Sequence, residues 1–279
     1  MKLSQQIIEA WIKTVHKGTF NVRDCWMDLC IESPEARQHL RVILLRCEEK
    51  QQIVKSTLNG HYRIIDADLN PIDWQAANTE NVIPLLLPFN IHTWAKFYPK
   101  SIIIIAGEKN AGKSAFLYET IRLNMHTFDV DLYNSETSPE QMKERFEPLD
   151  IPVPAPFNVY ERYDNFADVI HPEHLSIVDY LDFNSEFYMA GQAIDDIFKK
   201  LTTGSCIIGM QKPPSRDEAI GGISTVKRSN LYVALGSRTC KLVHVKNPKT
   251  KGVNPNNKQW GYSFDNDGFF TNIVGLEER

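Results

Sequence analysis

The feature that most constrains the fold is a glycine-rich loop at residues 107–114, with the sequence GEKNAGKS. It matches the pattern G-x-x-x-x-G-K-[ST] and follows an apolar run at residues 101–106 that is typical of a buried strand. Residues 115–123 have apolar side chains at helical spacing, so the loop joins a strand to the start of a helix. This context predicts a phosphate-binding loop, because backbone N–H groups and a helix N-terminus attract anions.

Individual residues of this loop have predicted roles. Gly107 and Gly112 let the backbone turn inward, Lys113 can reach the β and γ phosphates, and Ser114 can ligate magnesium. ATP and Mg²⁺ are therefore the expected cofactors. The expected nucleotide contacts are Gly107, Glu108, Lys109, Asn110, Ala111, Gly112, Lys113, Ser114 and Ala115.

Composition narrows the class of protein. The chain is 42% hydrophobic and 24% charged, which is ordinary for a soluble globular protein. No run approaches the roughly 20 apolar residues of a membrane span, and the first residues lack the apolar core of a signal peptide. We therefore expect a cytoplasmic protein with no membrane partner. The net charge of −4 argues against a wholly basic surface, so any nucleic-acid surface must be local.

The five cysteines are odd in number and include no C-x-x-C pair. Most have apolar sequence neighbours, which predicts reduced core residues and argues against a zinc site. These residues are Cys25, Cys30, Cys47, Cys206 and Cys240.

Residues 1–66 follow a different pattern from the rest of the chain. The apolar spacing predicts three helices at about residues 4–16, 22–31 and 34–49, followed by two strands at 52–57 and 61–65. The turn between the strands contains Asn59-Gly60, which favours a tight hairpin. Three helices followed by a hairpin resemble a winged helix-turn-helix, in which the third helix contacts DNA.

That resemblance implies a set of DNA contacts: Arg37, Arg41 and Arg46 on the third helix, and Lys55 and Arg63 on the hairpin. The segment has ten basic and eight acidic side chains, a net charge of +2, whereas the remainder of the chain carries −6. The alternative is a small helical docking module whose arginines are only solvated.

The rest of the chain predicts an α/β domain. Residues 67–97 form a linker and approach segment that is rich in polar and helix-breaking residues at its start. Residues 98–279 then alternate strand and helix, which predicts a mostly parallel sheet with helices on both faces. In such a sheet the ligand binds at the carboxyl ends of the strands.

Three polar residues follow predicted strands at that edge. Asp179 is expected to hold magnesium, and Gln211 is expected to sense the γ-phosphate or position water. Asp179 is followed by Tyr180 and not by a glutamate, so the residue that activates water is expected elsewhere, and Glu136 follows another predicted strand at the same edge. Glu136 could instead be a capping or surface carboxylate, and Gln211 an ordinary polar residue at a strand end.

The sequence YNSETSPEQM at residues 133–142 is similar to the S-L-E-M-S-x-x-Q segment of DnaB-like replicative helicases. The likeness extends to SIIIIAGEKNAGKS, LSIVDYLD, MQK and LVHVKNP, and covers roughly residues 98–265. It implies a RecA-like ATPase domain that assembles as a homo-oligomer, in a ring or filament. It also implies that Glu136 is the catalytic glutamate and that Lys246 reaches the ATP of a neighbouring subunit.

The chain departs from this family at two places. Lys246 matches the family's lysine, but Pro248 stands where the arginine is expected, and Lys249 could replace it. A lysine is a weaker stabiliser than a planar arginine, so slow hydrolysis is expected. Lys246 could also be an ordinary strand-end cation. The family's helical hairpin domain is replaced by the winged-helix candidate, which makes unwinding doubtful.

A long glycine-containing loop at residues 212–228 follows the Gln211 strand. In RecA-like proteins the corresponding loop lines the DNA path, so the resemblance implies backbone contacts by its basic residues. These are Lys212, Arg216, Lys227 and Arg228. The alternative is a flexible solvated loop.

Two functions remain open. The first is a magnesium-dependent ATPase of the RecA/DnaB-like class acting on DNA in replication, recombination or mobile-element maintenance. The second is an ATP-controlled DNA-binding or loading protein without strand-unwinding activity. A small-molecule kinase is disfavoured, because the sequence shows no arginine-rich lid but does place a glutamate to activate water.

Overall fold

A computed structural model describes residues 3–14, 18–55, 59–65, 69–181 and 189–276. The chain divides into two compact units, Met1–Ala77 and Asn78–Arg279. The boundary between them lies inside the segment predicted as a linker. Within the described residues, no helix combines the length and apolar character needed to cross a membrane.

The first unit consists of short helices and a small antiparallel sheet. Its elements are α1 (Gln5–Thr14), β1 (Thr19–Asn21), α2 (Val22–Asp28), α3 (Pro34–Glu49), β2 (Ile53–Lys55) and β3 (His61–Ile64). The strands pair in the order β1-β3-β2. A separate core includes Ile8, Trp11, Phe20, Leu40 and Leu44.

Local sequence explains where α3 begins. The Ser33 hydroxyl accepts a hydrogen bond from the Ala36 N–H, and Pro34 occupies the first turn, as both residue types favour. The bounds of α3 are those predicted, whereas α2 ends at Asp28 and not near residue 31. The end of the strand predicted at 52–57 and the start of the turn predicted at 58–60 fall on residues 56–58, which lie outside the described residues.

The second unit is built on a nine-stranded sheet. Its elements are β4 (Ile102–Gly107), α4 (Lys113–Asn124), β5 (Val130–Asn134), α5 (Pro139–Phe146), β6 (Asn158–Glu161), β7 (Leu175–Leu181), α6 (Ala190–Lys200), β8 (Ser205–Gln211), β9 (Ser229–Gly236), β10 (Thr239–Val245), β11 (Gln259–Phe264) and β12 (Phe270–Leu276). The strand order is β12-β11-β10-β9-β4-β8-β7-β5-β6.

The strands from β9 to β6 in that order are parallel, and β10, β11 and β12 extend the sheet in antiparallel fashion. The prediction of a mostly parallel α/β sheet is confirmed. The isoleucines of β4 explain the two-sided core: Ile103 and Ile105 pack with α4, and Ile102 and Ile104 pack with α6. A strand buried on both faces is expected to be apolar throughout, as β4 is.

The cysteine prediction needs one correction. All five cysteines are free, and Cys25, Cys47, Cys206 and Cys240 are buried, but Cys30 is exposed. Cys30 lies just past the end of α2, where the chain turns toward α3.

Candidate functional site

The glycine-rich loop lies at the centre of the sheet edge. β4, which leads into it, is flanked by β8 and β9, and α4 begins at Lys113. Gly112 has a φ of 84°, and a Cβ atom there would lie 2.5 Å from Phe264 Cζ. A side chain is therefore excluded at Gly112 by both conformation and space. The sequence requirement for glycine has a direct structural cause.

Lys113 is held over the mouth of the loop. Its Nζ donates to Gln211 Oε1 at 2.9 Å, to Glu108 O at 3.2 Å and to Gly107 O at 3.3 Å. Gln211 reaches Lys113 because it is the register partner of Gly107 at the end of β8. Burial lowers the pKa of Lys113, and the charges of Glu136 and Asp179 oppose that shift. The lysine and the predicted sensor glutamine are therefore in direct contact.

Asp179 is 1% exposed and lies beneath the loop on β7. The Ser114 hydroxyl donates to Asp179 Oδ1 at 3.2 Å. Asp179 Oδ2 is buried and has no hydrogen-bond partner among the described residues. Burial raises the pKa of this carboxyl, and the hydrogen bond from Ser114 opposes the shift. A buried carboxyl oxygen without a hydrogen-bond partner is costly, so a cation or water bound at this position would stabilise it.

Glu136 lies two residues beyond the end of β5, at the same edge of the sheet. The Asn134 side chain shapes this turn, because it accepts from the Thr137 N–H at 3.0 Å and donates to Thr137 O at 2.6 Å. Ser135 Oγ also donates to Tyr180 O at 2.9 Å, which joins the ends of β5 and β7. Glu136 is exposed and lines the same cavity as Lys113.

That cavity has a volume of about 720 Å³, which is within the usual size range of a small-molecule site. Its polar lining includes Lys113, Ser114, Glu136, Gln211 and Arg145. Lys109, Asn110, Gly112 and Ala115 of the predicted nucleotide contacts also line it. The structure thus places the phosphate loop and the residues predicted to act with it around one opening.

An aromatic wall, Phe89, Phe264, Phe269 and Phe270, lines the other side of the cavity. The rings of Phe89 and Phe270 lie 4.8 Å apart between centroids, and the Tyr262 hydroxyl donates to Ala111 O at 2.7 Å. The β11–β12 hairpin is therefore attached to the phosphate loop. The sequence analysis missed this wall, although alternating aromatic residues around the turn-forming segment DNDG at 265–268 were a visible signal.

The predicted catalytic Lys246 is remote from this opening. It follows the end of β10, is exposed, and does not line the cavity of its own chain. Pro248 bridges to Ala95, and Lys249 Nζ donates to His92 O at 3.3 Å. Any role of Lys246 in hydrolysis therefore requires the site of another chain.

Two basic residues of the 212–228 loop make contacts that the sequence did not predict. Lys212 is 4% exposed, and its Nζ contacts Glu108 Oε1 at 3.0 Å and Arg216 O at 3.1 Å. In this conformation the Lys212 ammonium is buried and paired and so is not available to a DNA phosphate, and its role as a DNA contact stays a prediction. Arg228 is half-exposed, bonded to Asp195 Oδ1 at 2.5 Å and stacked 4.8 Å over Phe198.

Arg216 and Lys227 remain exposed on this loop. In the first unit, Arg41, Arg46, Lys55 and Arg63 are exposed as well.

Arg37 is more constrained than the other predicted contacts of α3. Its Nε donates to Ile31 O at 3.2 Å, and its guanidinium lies 4.6 Å over the Trp26 ring.

Comparison with known proteins gives little further guidance. The sequence matches no protein-family model and no curated protein. The fold is similar to the crystal structure of the RadB recombinase, with 13% identity, a TM-score of 0.44 and coverage of 60% of this chain and 89% of that one. A similarity this low does not assign a function, which has to be judged from the geometry of the site.

Proposed function

We propose that the protein is a magnesium-dependent ATPase of the RecA/DnaB-like class that acts on DNA. The observation that carries this proposal is the Lys113–Gln211 contact beside the Ser114–Asp179 pair, with Glu136 on the same opening. A lysine, a hydroxyl, a buried carboxyl and an exposed glutamate around a phosphate loop match the needs of phosphoryl transfer to water.

The residues present fit magnesium and ATP. Ser114 Oγ and Asp179 Oδ1 lie 3.2 Å apart, and the unpartnered Asp179 Oδ2 is the kind of buried oxygen that a hydrated cation would satisfy. Magnesium bound with the nucleotide supplies positive charge at the phosphate oxygens as they become more negative. The loop supplies the N–H groups that bind the phosphates, other than those of Glu108 and Ala111, which donate to Leu235 O and Glu108 O.

The protein's own residues then divide the work. Lys113 exchanges its contact with Gln211 for a phosphate, which frees the glutamine amide to orient water. Glu136 accepts the proton of that water, and its exposure on the cavity wall leaves it accessible to solvent. The rings of the aromatic wall are available to stack on the base of ATP, because aromatic faces pack favourably against one another.

DNA binding is proposed for two surfaces. In the first unit, three helices and the β1-β3-β2 sheet support a winged-helix assignment, with Arg41 and Arg46 exposed on α3. In the second unit, Arg216 and Lys227 are the exposed cations of the 212–228 loop. Both sets suit phosphate contacts, which supply affinity and not sequence specificity.

The alternative is an ATP-controlled DNA-binding or loading protein without unwinding activity. The observation in its favour is the proline at residue 248, where the helicase pattern has an arginine. Without that arginine, hydrolysis would be slow. ATP binding would then set the assembly state of the protein, and hydrolysis would only return the protein to its starting state.

The test of the proposed function is the ATPase rate with and without single- and double-stranded DNA, measured together with the particle mass in ATP. We expect a magnesium-dependent rate that DNA increases, and a mass that rises when ATP is bound. Directional strand displacement would favour a motor, and nucleotide-dependent binding without displacement would favour the loading protein. A chain that binds no ATP would exclude both.

Hydrolysis should depend on assembly, because Lys246 is exposed and outside the cavity of its own chain. Lys246→Ala and Glu136→Gln chains should each be inactive alone and regain activity when mixed. Random mixing gives about a quarter of interfaces an intact glutamate and an intact lysine. The measurement is the steady-state ATPase rate across mixing ratios and total concentrations.

Lys251→Ala is the matched control, since this exposed lysine lies in the turn that follows β10. It should leave the rate unchanged. A mixture without recovered activity, together with a rate per chain that is independent of concentration, would rule out a role for Lys246 between subunits.

A further inference from the structure

A second polar cluster lies within the Asn78–Arg279 unit, away from the nucleotide cavity. Asp131, on β5, is fully buried, and its Oδ2 lies 2.7 Å from the Nδ1 atoms of both His171 and His174. Its other oxygen, Oδ1, accepts from Asn158 Nδ2 at 2.9 Å. One ligand atom from each of the aspartate and the two histidines lies within 4.8 Å of the others.

The cluster is at the opposite edge of the sheet from the phosphate loop. Asp131 is near the amino end of β5, and His174 directly precedes β7. Asn134, at the carboxyl end of β5, is three positions beyond Asp131, a distance of about 10 Å along a strand. The cluster is therefore distinct from the Ser114–Asp179 pair proposed to hold magnesium.

Backbone contacts fix the turn that carries the two histidines. Pro172 O accepts from the Thr202 and Gly204 N–H groups at 2.9 and 3.0 Å. A Cβ atom at Gly204 would lie 2.3 Å from His174 O, so the chain can approach this closely only with glycine. The imidazoles are thus presented from a rigid support, which reduces the cost of ordering them around a ligand.

The chemistry of the cluster suits a transition metal. The buried carboxyl of Asp131 contacts both imidazoles through Oδ2 and accepts from Asn158 Nδ2 through Oδ1, so the three candidate ligands already converge on one point. Two imidazole nitrogens and one carboxylate oxygen are ligands of Zn²⁺ and related divalent ions. Asn158 serves as the outer partner that fixes the carboxylate's orientation.

The cluster is open to solvent on one side. The side chain of His171 is 51% exposed, which gives solvent access to the cluster. Ser176, the register partner of Asp131 on β7, has a buried Oγ without a hydrogen-bond partner in the described residues. A buried hydroxyl without a hydrogen-bond partner therefore lies on the strand next to the Asp131 carboxyl.

We propose that Asp131, His171 and His174 bind a divalent transition-metal ion, with Zn²⁺ as the best match and water as the fourth ligand. Tetrahedral bonds of about 2.0–2.1 Å place neighbouring donor atoms about 3.3 Å apart, so each imidazole nitrogen moves outward by roughly half an ångström from its present contact. The bound ion fastens the 171–174 turn to β5. This site does not depend on the ATPase proposal.

Metal binding can be measured on the full chain after removal of metals with a chelator. Titration of the Asp179→Asn chain with Zn²⁺ against a chromophoric chelator should still give one site per chain. Any additional site in the wild-type chain would then belong to Asp179. Co²⁺ should give the visible absorption of a four-coordinate nitrogen and oxygen site. Asn158→Ala should weaken binding by about 10–100-fold, the usual effect of an outer partner.

His171→Ala and His174→Ala should weaken binding at least as strongly as Asn158→Ala and abolish the Co²⁺ spectrum. His126→Ala is the matched control, because His126 is exposed and outside the cluster. Equal Zn²⁺ affinity in wild-type, His171→Ala and His174→Ala chains would overturn the proposal, and so would a wild-type chain without a Co²⁺ spectrum. Asp131, His171 and His174 would then form only a hydrogen-bonded cluster that joins the 171–174 turn to β5. Asn158→Ala keeps all three ligands, so it tests the site even if a histidine variant fails to fold.

Discussion

Glu136→Gln chains should bind ATP normally and hydrolyse it about 10²–10⁴-fold more slowly, the usual contribution of a general base. The amide keeps the size and polarity of the side chain but cannot accept the proton of water. Because Glu136 is exposed on the cavity wall, the substitution should not affect the fold. Single-turnover hydrolysis and nucleotide affinity, measured separately, would show the two effects.

Lys113→Ala chains should lose nucleotide binding, whereas Glu136→Gln chains should keep it. The Lys113 ammonium lies against the loop backbone, where it donates to Gly107 O and Glu108 O. Lys109→Ala is the matched control, because Lys109 is an exposed lysine of the same loop whose predicted contact is through the backbone. It should bind ATP as the wild-type chain does.

Normal hydrolysis by Glu136→Gln would remove the RecA-like assignment of the base. The next candidate is Asp182, three residues past Asp179, which lies outside the described residues. The same Lys113→Ala and Lys109→Ala comparison would still identify the phosphate loop.

The positions of the polar residues near the glycine-rich loop could be predicted, because each residue is marked by the sequence immediately around it. A polar residue directly after a buried strand is recognisable in sequence, and parallel strands bring such residues to one edge. Glu136 lies two residues past the end of β5 and Gln211 is the last residue of β8, whereas Asp179 lies inside β7, which continues for two more residues. Their chemical roles remain predictions.

Contacts between distant segments could not be predicted in the same way. The partner of Lys212 is Glu108, which lies 104 residues earlier, and nothing near Lys212 in sequence indicates its burial. The third member of the histidine cluster is Asp131, 40 residues before His171. The H-x-x-H spacing was visible, but only the pairing of β5 with β7 brings the aspartate beside it.

Three strands were not predicted, because their pairing identifies them more clearly than their own sequence does. β1 is three residues long and is defined by pairing with β3, so it has too few residues to show an alternating pattern. β6 and β12 are edge strands of the large sheet, where one side has no strand partner and burial is weak. α3 was predicted with its bounds because Ser33 and Pro34 mark its start within the sequence itself.

The proposed winged helix should bind duplex DNA without ATP through the exposed cations of α3. Arg41→Ala combined with Arg46→Ala should lower the slope of log affinity against log salt by about 2, because each phosphate contact contributes about 0.9. Arg37 is left unchanged, since its bonds to Ile31 and Trp26 give it a structural role. The measurement is duplex affinity of the full chain between about 50 and 200 mM salt.

A charge-matched variant separates a specific surface from general electrostatic attraction. Lys13→Ala combined with Arg23→Ala removes two exposed cations from α1 and α2 and should leave the slope almost unchanged. Equal slopes for both double variants would mean that the duplex senses only net charge. If the wild-type chain has no ATP-independent duplex affinity even at about 50 mM salt, where electrostatic binding is strong, the first unit is a protein-docking module. DNA contact would then depend on Arg216 and Lys227 of the ATPase unit, and binding would require ATP.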